Sequence, residues 1–133
     1  ALGRRVRPIG RLTRSLHSNG RPDAHIGNGQ TQLLEIGPSG CQWSAAQRMA
    51  DGRMIAVGAT LGGVEADFIV ARYRTDGSLD PSFGHGRGWL RTRLGRSLDT
   101  ANSLAVQPDG AIVVGGFSLD GNYRAMVARY LNQ

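Results

Sequence analysis

A few groupings in this chain have the side-chain types and spacing that could support chemistry, and each has a structural competitor. Asp76, Ser78 and Asp80 alternate as the early ligands of a calcium loop do. Such a loop wants glycine at its sixth position and a distal glutamate; here Pro81 holds the sixth position and no glutamate follows. Turn formation and capping are the better reading. Gly84-His85-Gly86-Arg87-Gly88 has the glycine density of a phosphate cradle, but a cradle of that kind leads into a helix N-terminus, and here a strand-like segment opens at Trp89. His17, His25 and His85 have no histidine partner at i+2 or i+4, so their spacing implies no metal. Cys41 is the single cysteine, which excludes an internal disulfide, and no neighbouring histidine or acid would activate it. It reads as a spare thiol, or as an intermolecular disulfide partner if the protein is extracellular. No acid, base and nucleophile come together, and the expectation is a protein that is not an enzyme and carries no cofactor.

The remaining chemistry is charge. All sixteen basic residues are arginine, and six of them, Arg4, Arg5, Arg7, Arg11, Arg14 and Arg21, fall in the first 22 positions, which hold no Asp or Glu. The net charge of +6 is therefore that of residues 1–22, attached to a neutral body. Such an arm suits an acidic surface of a partner, because the planar guanidinium matches carboxylate and phosphate. Nucleic acid is the less favoured partner, since no aromatic residue interleaves with these arginines to stack on bases. An arginine-rich arm that is merely solvated is the alternative.

The elements that would position these residues come from an internal repeat. Asn19 to Gly29 lies over Asp76 to Gly86 at an offset of 57, with Gly20/Gly77, Asp23/Asp80, Gly27/Gly84 and Gly29/Gly86 identical. Asp51-Gly52 lies over Asp109-Gly110 and Gly58 over Gly116 at an offset of 58, and Val70-Ala71-Arg72-Tyr73 returns as Val127-Ala128-Arg129-Tyr130 at 57. Each period reads as strands: Ala111 to Phe117 is an apolar run, Leu104 and Val106 alternate with polar or small neighbours, and the Asp-Gly pair between them signals a hairpin. Met126 to Leu131 matches Phe68 to Tyr73, and Trp89 to Leu94 matches Gln32 to Ile36. No segment carries a long helical stripe. The expected fold is all-β, with two propeller-like repeats of about 57 residues, each of four antiparallel strands.

The domain boundaries that follow are an Arg-rich arm over 1–22 that overlaps the first repeat strand, a degenerate repeat over 9–65, a second repeat over 66–122 and the opening of a third over 123–133. Within this frame Asp51, Gly52, Arg72, Tyr73, Asp80, Phe83, Gly84, Asp109, Gly110, Arg129 and Tyr130 are expected to serve the repeat itself. Arg72 and Arg129 would pair with a recurring acid such as Asp80 or Asp109. Trp89 opens a strand and reads as core, whereas Trp43 lies in the weakly matched part and is a possible anchor for a partner, alongside Arg4, Arg5, Arg7, Arg11 and Arg14.

The string Ala71-Arg72-Tyr73, then Asp76-Gly77-Ser78-Leu79-Asp80-Pro81-Ser82-Phe83-Gly84, then Leu104 to Gly116, resembles the bacterial delta-60 repeat. The resemblance is close over 66–130 and degenerate over 9–65, where His17-Ser18-Asn19-Gly20 and Arg48-Met49-Ala50-Asp51-Gly52 depart from the pattern. It implies a propeller-type unit of bacterial envelope or secreted proteins, hence a periplasmic or extracellular location, and it supplies no catalytic residue. A start at Ala1 would suit a removed leader, although no segment of the chain shows a signal pattern, and no apolar run is long enough for a membrane-spanning helix.

Blades bury their faces only against other blades, and closed propellers use four to eight. Two repeats leave open faces. The expectation is therefore a non-enzymatic interaction module that self-associates or docks on a protein partner through its blade faces. The alternatives are a carbohydrate-binding oligomer, for which only Tyr73 and Tyr130 partly supply stacking platforms, and a piece of a longer repeat array.

Overall fold

The computed structural model describes residues 11–13, 19, 21, 32–34, 40–62 and 65–132. The protein is all-β, with no helix among these residues. Nine strands run in chain order: β1 Arg11–Thr13, β2 Gln32–Leu34, β3 Cys41–Arg48, β4 Met54–Thr60, β5 Phe68–Tyr73, β6 Trp89–Thr92, β7 Leu98–Val106, β8 Ile112–Asp120 and β9 Asn122–Tyr130. Each sheet is a simple antiparallel meander: β1-β2, then β3-β4-β5-β6, then β7-β8-β9. A period drawn from residue 66 thus holds β5 and β6 of one sheet and β7 and β8 of the next. The short pair β1-β2 occupies the repeat positions of β5 and β6.

The hairpins follow from the Asp-Gly signal. In the β3–β4 turn the Met49 amide donates to the Arg53 carbonyl at 2.7 Å and Gly52 donates back to Met49 at 3.0 Å; in the β7–β8 turn Gln107 and Ala111, then Gly110 and Gln107, make the same bonds at 2.8 and 2.9 Å. Gly52 and Gly110 close them at φ of +88° and +83°, a region in which a side chain is strained. The aspartate locks each turn by accepting the amide two residues on, Arg53 for Asp51 at 3.0 Å and Ala111 for Asp109 at 2.9 Å. Asp76 does the same with Ser78, and Asn19 with Arg21. The degenerate first repeat keeps this device.

Sequence alternation does not anticipate a bulge in the first strand of each of the two larger sheets. Register slips between Trp43 and Ala45 in β3 and between Ala101 and Ser103 in β7, so Ser44 and Asn102 stand extra at an offset of 58. Gly58 and Gly116 sit opposite. A Cβ on Gly58 would lie 1.8 Å from the Gln42 carbonyl oxygen, and one on Gly116 would lie 2.0 Å from that of Thr100. The recurrence of glycine here is a demand of the bulge.

One core joins the two larger sheets. Ile55, Val57, Phe68 and Val70 pack with Ala101, Ile112 and Val114, and Met126, Ala128 and Tyr130 extend the contact. The other face of β4 and β5 is covered as well: Ala56, Ala71 and Tyr73 form a second cluster flanked by Trp43, Met54 and Trp89. Backbone bonds add to the junction, as Ala66 donates to Ser97 at 3.0 Å and accepts from Asp99 at 2.7 Å, a parallel bridge from the entry of β5 to the start of β7.

Replacing Gly58 or Gly116 by alanine forces a methyl group into a main-chain carbonyl. Each variant is expected to lose roughly 1–3 kcal/mol of stability, the usual cost of overpacking. Urea unfolding checks this, and an unchanged midpoint for both would show that the bulge does not require glycine.

Candidate functional site

The repeat residues converge on the junction between the sheets. Arg72, on β5, lies on the same face as Ile55 and Val57 and is buried at 2% exposure. Its Nε donates to Asp80 Oδ2 at 2.8 Å and its Nη2 to Ser82 Oγ at 2.8 Å, while its guanidinium carbon sits 4.8 Å from the centre of the Phe83 ring. Its Nη1 crosses to the second sheet and donates to Asn132 Oδ1. Asp80 is equally engaged. Its Oδ2 also takes Arg53 Nη1 at 3.0 Å, and its Oδ1 takes the amide and hydroxyl of Ser82 at 3.0 and 2.6 Å. Burial alone would raise the Asp80 carboxyl; the Ser82 hydroxyl, the Arg53 guanidinium, the Ser82 amide and the nearby Arg72 charge outweigh it and hold the group well below the ordinary carboxylate range.

Arg72 thus pairs with Asp80, as the recurrence of both residues suggests. Arg129, at the same repeat position, pairs with Asp109 at 2.8 Å and with Gln107 at 2.7 Å, and its side chain stands 47% exposed. Tyr73 is buried with Trp43 edge-on to it at 6.5 Å, and Tyr130 is half-buried, its hydroxyl donating to Thr92 Oγ1 at 2.9 Å across the sheet junction. Burial pushes the Tyr130 phenol up. Phe83 is fully buried beneath Arg72. Gly84 lies in a loop closed by its own bonds, from Gly88 to Phe83 at 2.9 Å and from Arg87 to Gly84 at 3.3 Å. Trp43 is half-buried and packs against Cys41 and Ile69 as well as Tyr73. Trp89 is half-buried too, with Arg87 5.6 Å from its ring centre.

Asp76 and Ser78 bond to each other and Asp80 is occupied by arginines, so this triplet is turn and ion-pair structure. Among the described residues no three His, Cys, Asp or Glu side chains come together around a possible metal. Arg11 lies on β1, while Arg4, Arg5, Arg7 and Arg14, with His17 and His25, lie outside the described residues. No described helix is long and apolar enough to cross a membrane.

Several contributors are not legible from the repeat. Asp67, 2% exposed, accepts from Arg91 and from Arg93 Nε at 3.1 Å, and its amide donates to Thr60 Oγ1 at 3.0 Å. Gly10 and Arg124 hold its place in the neighbouring periods, so self-comparison gives no signal for it. Ser82 and Asn132 were equally hidden. Only the Asp-x-Ser spacing at 80–82, typical of a side chain capping its own turn, points to Ser82.

The second sheet presents an apolar face that stands open to solvent. Val113, Gly115, Phe117, Ala125, Val127 and Arg129 are the repeat counterparts of Ile55, Val57, Ala59, Phe68, Val70 and Arg72. In the first sheet that face is sealed by β7–β9. In the second it is open: Val127 is 74% exposed and Tyr123 75%, whereas Val70 is fully buried. Phe117 and Tyr123 lie against each other at 5.4 Å between ring centres. At the hairpin end of the junction a cleft of about 420 Å³ separates the two Asp-Gly turns, bordered by Arg48, Asp51, Arg53 and Asp109. Its charges are largely spent internally, Arg53 on Asp51 and Asp80, and Asp109 on Arg129.

Asp80→Asn removes the charge that Arg72 and Arg53 share, leaving the buried Arg72 guanidinium without its carboxylate while Arg53 keeps Asp51. A loss of roughly 3–5 kcal/mol is expected at neutral pH. Because the folded carboxyl titrates below its unfolded value of 3.8, its contribution is complete above that pH and fades as pH falls through and below it. The gap between the two chains in urea unfolding should therefore narrow from pH 7 towards pH 2. A constant gap would assign the loss to something other than this charge.

Compared with known proteins, the chain matches a family model described as "Domain of unknown function (DUF5122) beta-propeller" over residues 50–83 and 107–133. No curated protein and no solved structure matches it. The first matched segment runs from the Asp51-Gly52 turn through β4 and β5 to Phe83, and the second from the Asp109-Gly110 turn through β8 and β9. Both begin at the same repeat turn, and with the meander sheets this similarity supports a propeller-type repeat family.

Proposed function

We propose that the chain is a non-enzymatic interaction module that works by burying the open face of β7–β9 against a further sheet of the same repeat type, supplied by a second copy or by neighbouring repeats. The observation that carries this reading is the residue-by-residue equivalence of that face with the sealed face of β3–β6, from Val113 for Ile55 to Arg129 for Arg72. An apolar face with Tyr123, Val127, Phe117 and Leu131 at its surface is more than soluble monomers usually expose without use. The edge of β9 adds to it, since β5 at the same position is covered by β6 while no described strand pairs with the far side of β9. The resemblance to the delta-60 repeat favours an envelope or extracellular assembly for such a module, with the arginines of residues 1–22 resting on an acidic protein surface.

Light scattering on the native particle tests it. The expected mass is a multiple of 14.2 kDa, or that of a larger complex. Tyr123→Asp combined with Val127→Asp should reduce the particle to a monomer with unchanged β-sheet circular dichroism. A wild-type chain that stays monomeric at high concentration would overturn the proposal.

A further inference from the structure

β9 is an edge strand without the usual guards. It runs nine residues, Asn122–Tyr130, pairs with β8 at every one of them from Asp120↔Asn122 to Ile112↔Tyr130, and holds no proline and no bulge. The opposite edges of the two larger sheets, β3 and β7, are both interrupted by bulges. Natural sheets blunt an edge by shortening, bulging or covering it, and one left long and regular is a template for another strand. We propose that the far edge of β9 takes one extended segment of a partner protein as a fourth, antiparallel strand, and that this segment carries carboxylates on the side of the sheet where Arg124 stands. This names the partner segment for the open sheet of the reading above, and rests on that reading only for the sheet's openness.

The first sheet shows how such an edge is filled. The Arg72 amide donates to the Gly88 carbonyl at 2.9 Å and the Arg72 carbonyl accepts the Asp80 amide at 2.9 Å, so the main-chain polar groups of Arg72 point to the β6 side. By strand alternation those of Val70 and Phe68, opposite Leu90 and Thr92, point the same way. Their counterparts on β9 are Arg129, Val127 and Ala125, all exposed. These three residues turn their amides and carbonyls to the far side of β9, where no described strand pairs with them. An incoming extended chain can bond to them without disturbing the β8–β9 ladder.

Charge selects the strand that fits. In the first sheet the fourth strand is cationic: Arg91 and Arg93, on β6 and just after it, both pair with Asp67 at the entry of β5. Arg124 holds the place of Asp67 in the second sheet, is exposed, and has no described carboxylate paired with it. Arg96 borders the same small cleft of about 240 Å³ as Arg124 and Met126, which adds positive charge on this side of the edge. A copy of β6 laid against β9 would bring Arg91 and Arg93 up to Arg124, and like charges opposed across strands are destabilising. The reversal from Asp67 to Arg124 thus disfavours a second copy of β6 and favours a strand with glutamate or aspartate at those two places.

The other side of the added strand is set by the open face. Leu90, opposite Val70, reaches the main core from β6. Its place beside Val127, which is 74% exposed, suits an apolar residue for the same reason. The partner segment is therefore extended, with an apolar residue at the place of Leu90 and carboxylates at the places of Arg91 and Arg93. Charge fixes the register as well as the partner. A slip by one residue would move the carboxylates to the face of Val127 and leave Arg124 unpaired.

Calorimetric titration of the intact chain with two synthetic peptides is the test. One has the sequence of residues 88–94 of this chain, which spans β6; the other is the same peptide with Arg91→Glu and Arg93→Glu. The acidic peptide is expected to bind saturably, at least about tenfold tighter than the parent peptide. Arg124→Glu should invert that preference, and because Arg124 is exposed this variant should unfold in urea like the parent chain. Methylating the amide at the place of Leu90 in the acidic peptide, which removes a ladder bond to Val127, should weaken binding about tenfold. The mass of the particle on the same samples keeps the two readings apart. A monomer that binds the acidic peptide upholds the edge and overturns the face, whereas an assembling chain that binds neither peptide overturns the edge alone. Binding of neither peptide is the result if Arg124 only guards the edge against pairing. Equal binding of both peptides, or a preference that Arg124→Glu leaves unchanged, would also overturn the proposal.

Discussion

A sheet whose two central strands are apolar on both faces cannot stand alone in water, and most of this structure follows from that constraint. β4 and β5 are buried almost throughout, one face on Ile112 and Val114 of the next sheet and the other among Ala56, Ala71, Tyr73 and Trp43. Strands covered on both sides lose the clean polar alternation of a half-exposed sheet, so β5 reads Phe-Ile-Val-Ala-Arg-Tyr without a break. The single charge in that run must then be neutralised where it lies. Arg72 meets Asp80, Ser82 and Asn132 because its position admits no water to do the work.

That requirement explains why Arg72 and Arg129, identical in sequence context, have different surroundings. Arg72 is sealed by the second sheet, and its donors are divided between the Asp80 loop of its own sheet and Asn132 of the next. Arg129 lies on a face that nothing described covers, and it leans to Asp109 in the neighbouring turn. The same residue is a buried cross-tie in one sheet and a surface ion pair in the other. Exposed pairs of the second kind contribute little to stability, so its recurrence makes physical sense only at a junction.

What was legible in the sequence was whatever recurs. The strands and the Asp-Gly hairpins came through because two copies spell the same local physics twice, and the recurrence of Arg72 as Arg129 and of Asp23 as Asp80 pointed to an arginine paired with a recurring acid. The bulges at Ser44 and Asn102 did not, although Gly58 and Gly116 marked them, because a glycine in a strand announces a close approach without saying to what. Asp67 was invisible for a different reason. Its partners Arg91 and Arg93 lie on and just after the adjacent strand β6, 24 and 26 residues on, and its repeat neighbours Gly10 and Arg124 cannot make the same bonds. Tertiary polar contacts of that sort leave no period in a sequence.

This contrast separates two kinds of residue. Positions that agree between copies are constrained by the need of each sheet to turn, bulge and bury its neighbour, and they would be required whatever the protein did. Positions that disagree while remaining buried are released from that need, yet they still bear the cost of desolvating a polar group. Thr60 and Ser118 illustrate the difference: one hydroxyl accepts the Asp67 amide, whereas the other turns to the buried Asp99 carboxylate paired across from it. The open face of β7–β9 is the opposite case, since each of its residues has a counterpart that already shows, in the first sheet, what a covering sheet does.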